Sequence, residues 1–84
     1  MSKAVPSLDS IKKNVTAKKF DEALEDLSTL LHARPNDIDA IYMCAVCRRY
    51  KGEFELALEL LEKAKLLSPE NGRIYQEEGH TYRD

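Results

Sequence analysis

The chain has 84 residues, of which 33% are charged, and its formal net charge is −2 at pH 7. This balance of acidic and basic side chains argues against nucleic-acid binding, because phosphates would require a strongly basic face. The longest uninterrupted apolar stretch, 40–47, is far shorter than the roughly 20 residues of a membrane-spanning helix, and residues 1–10 have no apolar run typical of a signal sequence. We therefore expect one small module, located in the cytoplasm and without membrane contact.

The predicted secondary structure is entirely helical. Apolar residues recur at helical spacing along the whole chain, and the alternation typical of strands is absent. Side chains suited to capping helix N-termini occur at three places: Ser7, Asp37 and Asn71. Gly52, Pro35 and Pro69 mark helix ends. These signals predict helices over about 7–17, 20–33, 37–50, 53–67 and 71–83.

Two parts of the chain repeat each other with a period of 34 residues. Pairs of like residues at this separation are Phe20 and Phe54, Ala23 and Ala57, Leu27 and Leu61, and Pro35 and Pro69. Such a period indicates a stack of identical supersecondary units. Stacked units present a long surface and no natural active-site cleft, so the pattern favours binding of a protein or an extended peptide.

The repeated unit resembles the tetratricopeptide repeat (TPR). Its helix pair carries a W-x2-L-G-x2-Y pattern, then an A-x3-F pattern and a closing proline. The second unit fills these patterns with Ile41, Cys44, Ala45, Arg48, Ala57, Leu61 and Pro69. The first unit keeps Ala23, Leu27 and Pro35 after a degenerate opening helix, and the third supplies Tyr75, Glu78, Gly79 and Tyr82. Ala23, Ala45, Ala57 and Gly79 are expected at close helix crossings because they are small. The larger side chains of Phe20, Leu27, Phe54, Leu61 and Tyr75 are expected to fill the space beside them.

The resemblance implies an all-α, TPR-type α-solenoid of about two and a half repeats, with five antiparallel helices, in a single domain or a fragment of one, 1–84. Its repeats would cover about 4–37 and 38–71, followed by the first helix of a third at about 72–84. In this family the first helix of each pair lines a concave groove. Carried onto this chain, the expected groove residues are Asp39, Tyr42, Val46, Arg49, Tyr50, Arg73, Gln76, His80 and Arg83, with Lys12, Lys13 and Thr16 at the other end.

The expected groove mixes basic, aromatic and hydrogen-bonding side chains, which suits an extended peptide with some acidic character. An ordinary solvated surface is the alternative interpretation. One TPR subfamily holds the terminal carboxylate of chaperone tails with Lys and Asn at set groove positions. Met43 stands where its central Asn would be and Glu77 where its Arg would be, so that ligand is not expected.

The last predicted helix retains residues that ordinarily pack against a following helix: Ile74, Tyr75, Gly79 and Tyr82. In addition, Leu56 and Leu60 are apolar where the first unit has Glu22 and Asp26. We interpret the chain as a fragment whose exposed aromatic stripe binds a partner, most simply the same stripe of a second copy, with Leu56 and Leu60 assisting this self-association. For the two leucines, the alternative is that they pack under a neighbouring segment or stay exposed. The alternative is that the last helix is a solvating cap, with polar positions at Arg73, Gln76, Glu77, Glu78, His80 and Arg83.

No catalytic constellation is apparent, and we expect no cofactor or metal. Cys44 and Cys47 form a C-x-x-C pair without the strand context of a redox motif or further zinc ligands, so they are expected to be core or half-core thiols. A second, weaker resemblance gives an alternative function. The segment 47–84 looks like repeats that precede sulfotransferase domains in some bacterial proteins, in which case the chemistry would belong to another part of a larger enzyme.

Overall fold

The computed structural model describes residues 5–83, which form five α-helices and no strand. The helices are α1 (Leu8–Thr16), α2 (Phe20–Ala33), α3 (Ile38–Tyr50), α4 (Phe54–Leu67) and α5 (Gly72–Arg83). The predicted all-α architecture is confirmed, and every predicted helix end lies within one residue of the observed end. The predicted start of the first repeat at residue 4 and the end of the third unit at residue 84 lie outside the described residues.

The three predicted N-caps are confirmed. The Ser7 hydroxyl accepts a backbone N–H hydrogen bond of 3.2 Å in the first turn of α1, and the Asp37 carboxylate accepts one of 3.1 Å at the start of α3. The Asn71 side-chain oxygen accepts one of 3.0 Å at the start of α5. Each cap satisfies a backbone donor that the helix itself cannot pair, which fixes where the helix begins.

The turns after α1 and α3 have the same geometry, 34 residues apart. After α3, the Glu53 N–H donates to the Arg48 carbonyl at 2.8 Å and the Gly52 N–H donates to the Arg49 carbonyl at 2.9 Å. This pattern needs a residue in the left-handed region, and Gly52 has φ 78°. Lys18 takes that place after α1, with φ 63°. A side chain in this conformation costs about 1–2 kcal/mol, a strain that glycine avoids.

The core consists of two apolar clusters. The first joins α1, α2 and α3 and contains Ile11, Ala23, Leu27, Leu30, Ala40, Met43 and Cys47. The second joins α3, α4 and α5 and contains Ile41, Ala45, Leu61, Ala64 and Ile74. Leu31 packs against both clusters and so connects the two halves. Three predicted small crossing residues, Ala23, Ala45 and Ala57, are fully buried, as are Leu27 and Leu61.

Two aromatic residues that were expected to fill the space beside the crossings do not. The exposed fraction is 36% for Phe54 and 47% for Tyr75. The Tyr75 hydroxyl donates to the Pro69 carbonyl at 2.8 Å, which holds the ring at the surface. Ile41, the equivalent of Tyr75 one repeat earlier, is fully buried in the cluster that α4 completes. Among residues 5–83, no helix covers α5 as α4 covers α3.

Candidate functional site: a groove along α1, α3 and α5

The first helices of the successive pairs lie side by side and form a groove. Its larger lobe has a volume of about 470 Å³ and is lined from α1, α3 and α5 by Lys12, Val15, Asp39, Tyr42, Met43, Val46 and Arg73. Three of these α3 residues follow Asp39 by three, four and seven positions, so they share one face of the helix with it. Helical periodicity therefore brings the α3 side chains to one surface.

A smaller lobe of about 320 Å³ adjoins the larger one. Its lining residues are Val15, Thr16, Lys18, Phe20, Val46 and Tyr50. Val15 and Val46 line both lobes, so they form an apolar floor between them. Phe20 and Tyr50 stack with their ring centroids 5.1 Å apart and their planes inclined by 6°. This stacked pair connects α2 to the end of α3 and gives the smaller lobe an aromatic wall.

The groove is locally basic. Lys12, Lys18 and Arg73 line it, together with a single carboxylate from Asp39. Arg73 donates to Asp39 through a 2.6 Å hydrogen bond, and its guanidinium lies 5.0 Å from the ring centroid of Tyr42. Burial raises the pKa of the Tyr42 hydroxyl, which is therefore a neutral hydrogen-bond donor at pH 7. The surface can thus offer positive charge, an aromatic face and a phenolic donor to a ligand.

The structure brings part of the predicted groove set together. Asp39, Tyr42, Val46, Tyr50 and Arg73 line the two lobes, as do Lys12 and Thr16. Arg49, Gln76, His80, Arg83 and Lys13 are not among the lining residues of either lobe. Sequence reasoning did not place Val15, Met43, Lys18 and Phe20 in the groove, and the structure adds all four. The sequence could have placed Val15 in the groove, because Val15 follows Lys12 by three positions and so lies on the same face of α1.

Arg49 was predicted to be a groove residue, but it forms a buried ion pair between α3 and α5. Its Nε donates to Glu77 Oε2 at 2.5 Å, and the side chains of Arg49 and Glu77 are only 13% and 3% exposed. The Arg49 guanidinium also lies 4.5 Å from the ring centroid of Tyr50. In the alternative interpretation of α5 as a solvating cap, Glu77 was one of the polar cap positions, but it is buried on the same face of α5 as Ile74 and Thr81.

The family relationship follows from comparison with known sequences. The family model described as tetratricopeptide repeat matches residues 15–77, a region that reaches from α1 into α5. The chain belongs to the TPR family. The predicted TPR-type fold is therefore confirmed, and TPR units in general mediate protein–protein interactions. No curated protein matches the chain, and nothing in these comparisons supports the resemblance to repeats of sulfotransferases. Within residues 5–83, no helix is both long enough and apolar enough to cross a membrane.

The outer face of α5 in this TPR chain differs from the equivalent face of α3. Tyr82 is 72% exposed, and a Cβ atom added to Gly79 would meet nothing within 4 Å. The position one repeat before Gly79 is Ala45, which is fully buried. Ile74 cannot belong to this face, because it is fully buried in the second cluster, so its predicted role in self-association is wrong. The surface that remains contains Tyr75, Gly79 and Tyr82.

The two α4 leucines predicted to assist self-association are not equivalent. Leu56 is 44% exposed, whereas Leu60 is partly buried and packs against the second cluster. Side chains four positions apart on a helix share a face only approximately, and Leu60 lies closer to the core than Leu56. Only Leu56 therefore offers a largely accessible apolar side chain.

The two cysteines of the C-x-x-C pair are free thiols, as predicted. Cys47 is buried in the first cluster and Cys44 is partly buried. Burial raises the pKa of Cys47 to about 11 and also raises the pKa of Cys44, so both are protonated thiols at pH 7. In the described part of the chain, no group of three or more His, Cys, Asp or Glu side chains is arranged to hold a metal ion.

A separate cleft of about 460 Å³ lies between α2 and α3. It is lined by Leu24, Ser28, Leu31, His32, Pro35, Cys44 and Arg48. The Arg48 guanidinium in this cleft is bonded to the Glu53 carboxylate at 2.8 Å. None of these residues lines the groove, so the cleft provides a second surface against which binding at the groove can be compared.

Proposed function

We propose that this TPR chain binds an extended segment of another protein in the groove along α1, α3 and α5. The main support for this proposal is that the two lobes share the floor formed by Val15 and Val46 and so form one continuous groove. An extended segment can place alternate side chains into such lobes while its backbone follows the groove. The larger lobe is also in the size range of pockets that bind ligands.

The groove residues have distinct roles in this proposal. Val15 and Val46, which are only partly buried, contribute apolar area, whose burial stabilises a complex by roughly 25 cal/mol per Å² before the cost of association. The Tyr42 hydroxyl and the exposed Arg73–Asp39 pair can exchange hydrogen bonds with a peptide backbone. The proposed role is binding in the cytoplasm, without catalysis by this chain. A parent enzyme with a sulfotransferase domain stays a prediction, which the sequence of the parent gene would test.

Replacing Val46 by arginine is expected to weaken groove binding. Peptides selected from a random display library on the wild-type protein should bind the Val46→Arg variant at least about tenfold more weakly, because the long side chain fills the shared floor. Binding can be measured by fluorescence anisotropy, with circular dichroism to confirm the fold. The matched control is Ser28→Arg, which puts the same side chain into the cleft between α2 and α3. Peptides that lose affinity only for Ser28→Arg would contradict the proposal.

The outer face of α5 supports a second proposed function, homodimer formation through α5. Tyr75 and Tyr82 are exposed, and they flank the open position at Gly79 by four and three residues. A two-fold arrangement would place the same face of a second copy against them, because a two-fold interface is self-complementary. The absence of a Cβ atom at Gly79 allows two helices to approach closely.

The Tyr82→Glu variant is expected to be monomeric under conditions in which the wild-type protein dimerises. Sedimentation velocity at several hundred micromolar protein should show a dimer for the wild type, and the buried charges of the variant should remove it. Leu66→Glu is the matched control, because Leu66 is 85% exposed and lies on α4. A monomeric wild type at this concentration would contradict dimerisation through α5. An equal loss of dimer in the Tyr82→Glu and Leu66→Glu variants would also contradict it.

A further inference from the structure

Asn71 and Gly72 form an asparagine–glycine pair at the start of α5. The fold does not require this glycine, because its φ is outside the left-handed region and a Cβ atom added to it would meet nothing within 4 Å. Glycine also stabilises a helix less than alanine does. One repeat earlier the equivalent position is Ile38, which follows the cap Asp37. Neither backbone conformation nor lack of space therefore explains Gly72.

The missing side chain of Gly72 leaves its backbone nitrogen accessible to the side chain of Asn71. A bond from this nitrogen to the Asn71 side-chain carbon, Cγ, would close a five-membered ring. Gly72 is exposed and Asn71 is only partly buried, so water reaches both residues. The pair thus combines an unobstructed nitrogen with an accessible side-chain amide.

Hydrogen bonding at the start of α5 leaves the Gly72 N–H unpaired. Among residues 5–83 no acceptor binds it, whereas the next two N–H groups, of Arg73 and Ile74, donate to the Asn71 side-chain oxygen at 3.0 Å and to the Asn71 carbonyl at 3.2 Å. The bond from Arg73 polarises the side-chain carbonyl and so favours attack at Cγ. The first turn of α5 has no acidic residue, and a helix N-terminus favours negative charge, which stabilises a deprotonated Gly72 nitrogen.

The other two asparagines of the chain lack this arrangement. Asn36 precedes Asp37, whose N–H donates to the Arg34 carbonyl at 3.2 Å. Asn14 precedes Val15 inside α1, where the N–H belongs to the helical hydrogen bonds and the branched side chain crowds the nitrogen. Asn14 and Asn36 are therefore internal controls for Asn71.

We propose that Asn71 is a site of spontaneous deamidation, in which the Gly72 nitrogen attacks the Asn71 side chain. The bond between this nitrogen and Cγ forms, the bond from Cγ to Nδ2 breaks, and the amino group leaves as ammonia with the proton of the Gly72 N–H. Water then opens the succinimide ring at either of its two carbonyl carbons and gives aspartate or isoaspartate. The attack requires rotation about ψ of Asn71, which breaks only the two hydrogen bonds at the start of α5.

The two products have opposite effects on α5. Aspartate keeps the normal main chain and caps α5 as Asp37 caps α3. Isoaspartate adds a methylene group to the main chain, which displaces the two oxygen atoms that accept from Arg73 and Ile74. Arg73 also bonds to Asp39 at 2.6 Å in the groove. Isoaspartate at position 71 therefore releases the first turn of α5 from the groove, and aspartate does not.

The test follows the folded protein during incubation at physiological temperature and mildly alkaline pH. Trypsin cleaves after Lys65 and Arg73 and releases residues 66–73, in which Asn71 has the only side-chain amide, so a gain of one mass unit in this peptide reports deamidation. Reversed-phase chromatography separates the aspartate and isoaspartate forms of the peptide. We expect both forms, and at least about tenfold slower conversion at Asn14 and Asn36.

Gly72→Ala should deamidate at least about tenfold more slowly than the wild type, because the methyl group obstructs the attack. Its melting temperature should not fall, since alanine is the better helix former and its Cβ atom has room. Asn71→Asp is the matched control for the aspartate product and should melt at or above the wild-type temperature. The isoaspartate form should melt about 4–8 °C lower, with faster hydrogen exchange at Arg73 and Ile74.

The outcomes decide each step of the proposal without any ligand of the groove, so they are independent of the proposed function. An Asn71 that stays intact in the folded protein but converts in the urea-unfolded protein would overturn deamidation at this site. Equal rates for the wild type and Gly72→Ala, or for the three asparagines, would overturn the role of the Gly72 nitrogen. An isoaspartate form that melts at the wild-type temperature would overturn the release of α5.

Discussion

The Arg49→Ala variant should be less stable than the wild type by about 3–5 kcal/mol, the largest loss we expect from a single substitution at a polar residue. The reason is that Glu77, with a side chain only 3% exposed, loses the guanidinium that lies 2.5 Å away. A carboxylate buried without its partner keeps the cost of desolvation and loses the compensating attraction. Urea unfolding followed by circular dichroism measures the change.

A second ion pair between the same two helices provides the matched control. Arg73 and Asp39 also join α5 to α3, at 2.6 Å, but their side chains are 55% and 53% exposed. Arg73→Ala should therefore cost less than about 1 kcal/mol. The double variant Arg49→Leu/Glu77→Leu should recover most of the loss, because no buried charge is left unpaired. Equal losses for Arg49→Ala and Arg73→Ala would show that burial does not determine the strength of these pairs.

Leu61→Ala is expected to destabilise the protein by about 2–5 kcal/mol. Leu61 is fully buried in the second cluster, where it packs with Ile41 and Ile74, and its truncation leaves a cavity at the junction of α3, α4 and α5. A domain of this size has a net stability of only about 4–13 kcal/mol, so we expect the variant to have a markedly lower melting temperature and urea midpoint than the wild type.

The control for Leu61→Ala is the same substitution at Leu66, on the same helix. Leu66 is 85% exposed, and its truncation should change stability by no more than about 0.5 kcal/mol. Thermal and urea unfolding of both variants should be compared with the wild type. If Leu66→Ala lowered the stability as much as Leu61→Ala, Leu66 would have to be covered by a partner, such as a second copy of the chain.

α5 is attached to the rest of the fold partly by apolar packing and partly by ion pairs. Ile74 is the only apolar residue of α5 that is buried in the second cluster. The other two buried residues of α5, Glu77 and Thr81, are polar. The Thr81 hydroxyl is satisfied by donating to the Glu77 carbonyl at 2.8 Å. α5 is therefore held to α3 by one apolar side chain and by ion pairs, and high salt should weaken the exposed pair more than the buried one.

The sequence by itself determined the local structure and its repetition. Helical spacing of apolar residues, caps at Ser7, Asp37 and Asn71, and the glycine at position 52 fix where helices begin and end, because these signals act within one or two turns of the chain. The 34-residue period then determined the family and the pairing of helices. The same period also aligns Lys18 with Gly52, and this alignment indicates the left-handed backbone conformation that both residues adopt.

Only the tertiary structure decided which side chains face the groove and which face a neighbouring helix. Arg49 and Glu77 are 28 residues apart, and nothing local indicates that they meet and become buried. Ile74 and Tyr75 are adjacent and both apolar in character, yet one is fully buried and the other 47% exposed. The difference arises because burial depends on the rotation of α5 against α3 and α4, which is set by packing across the chain and not by the sequence of α5 alone.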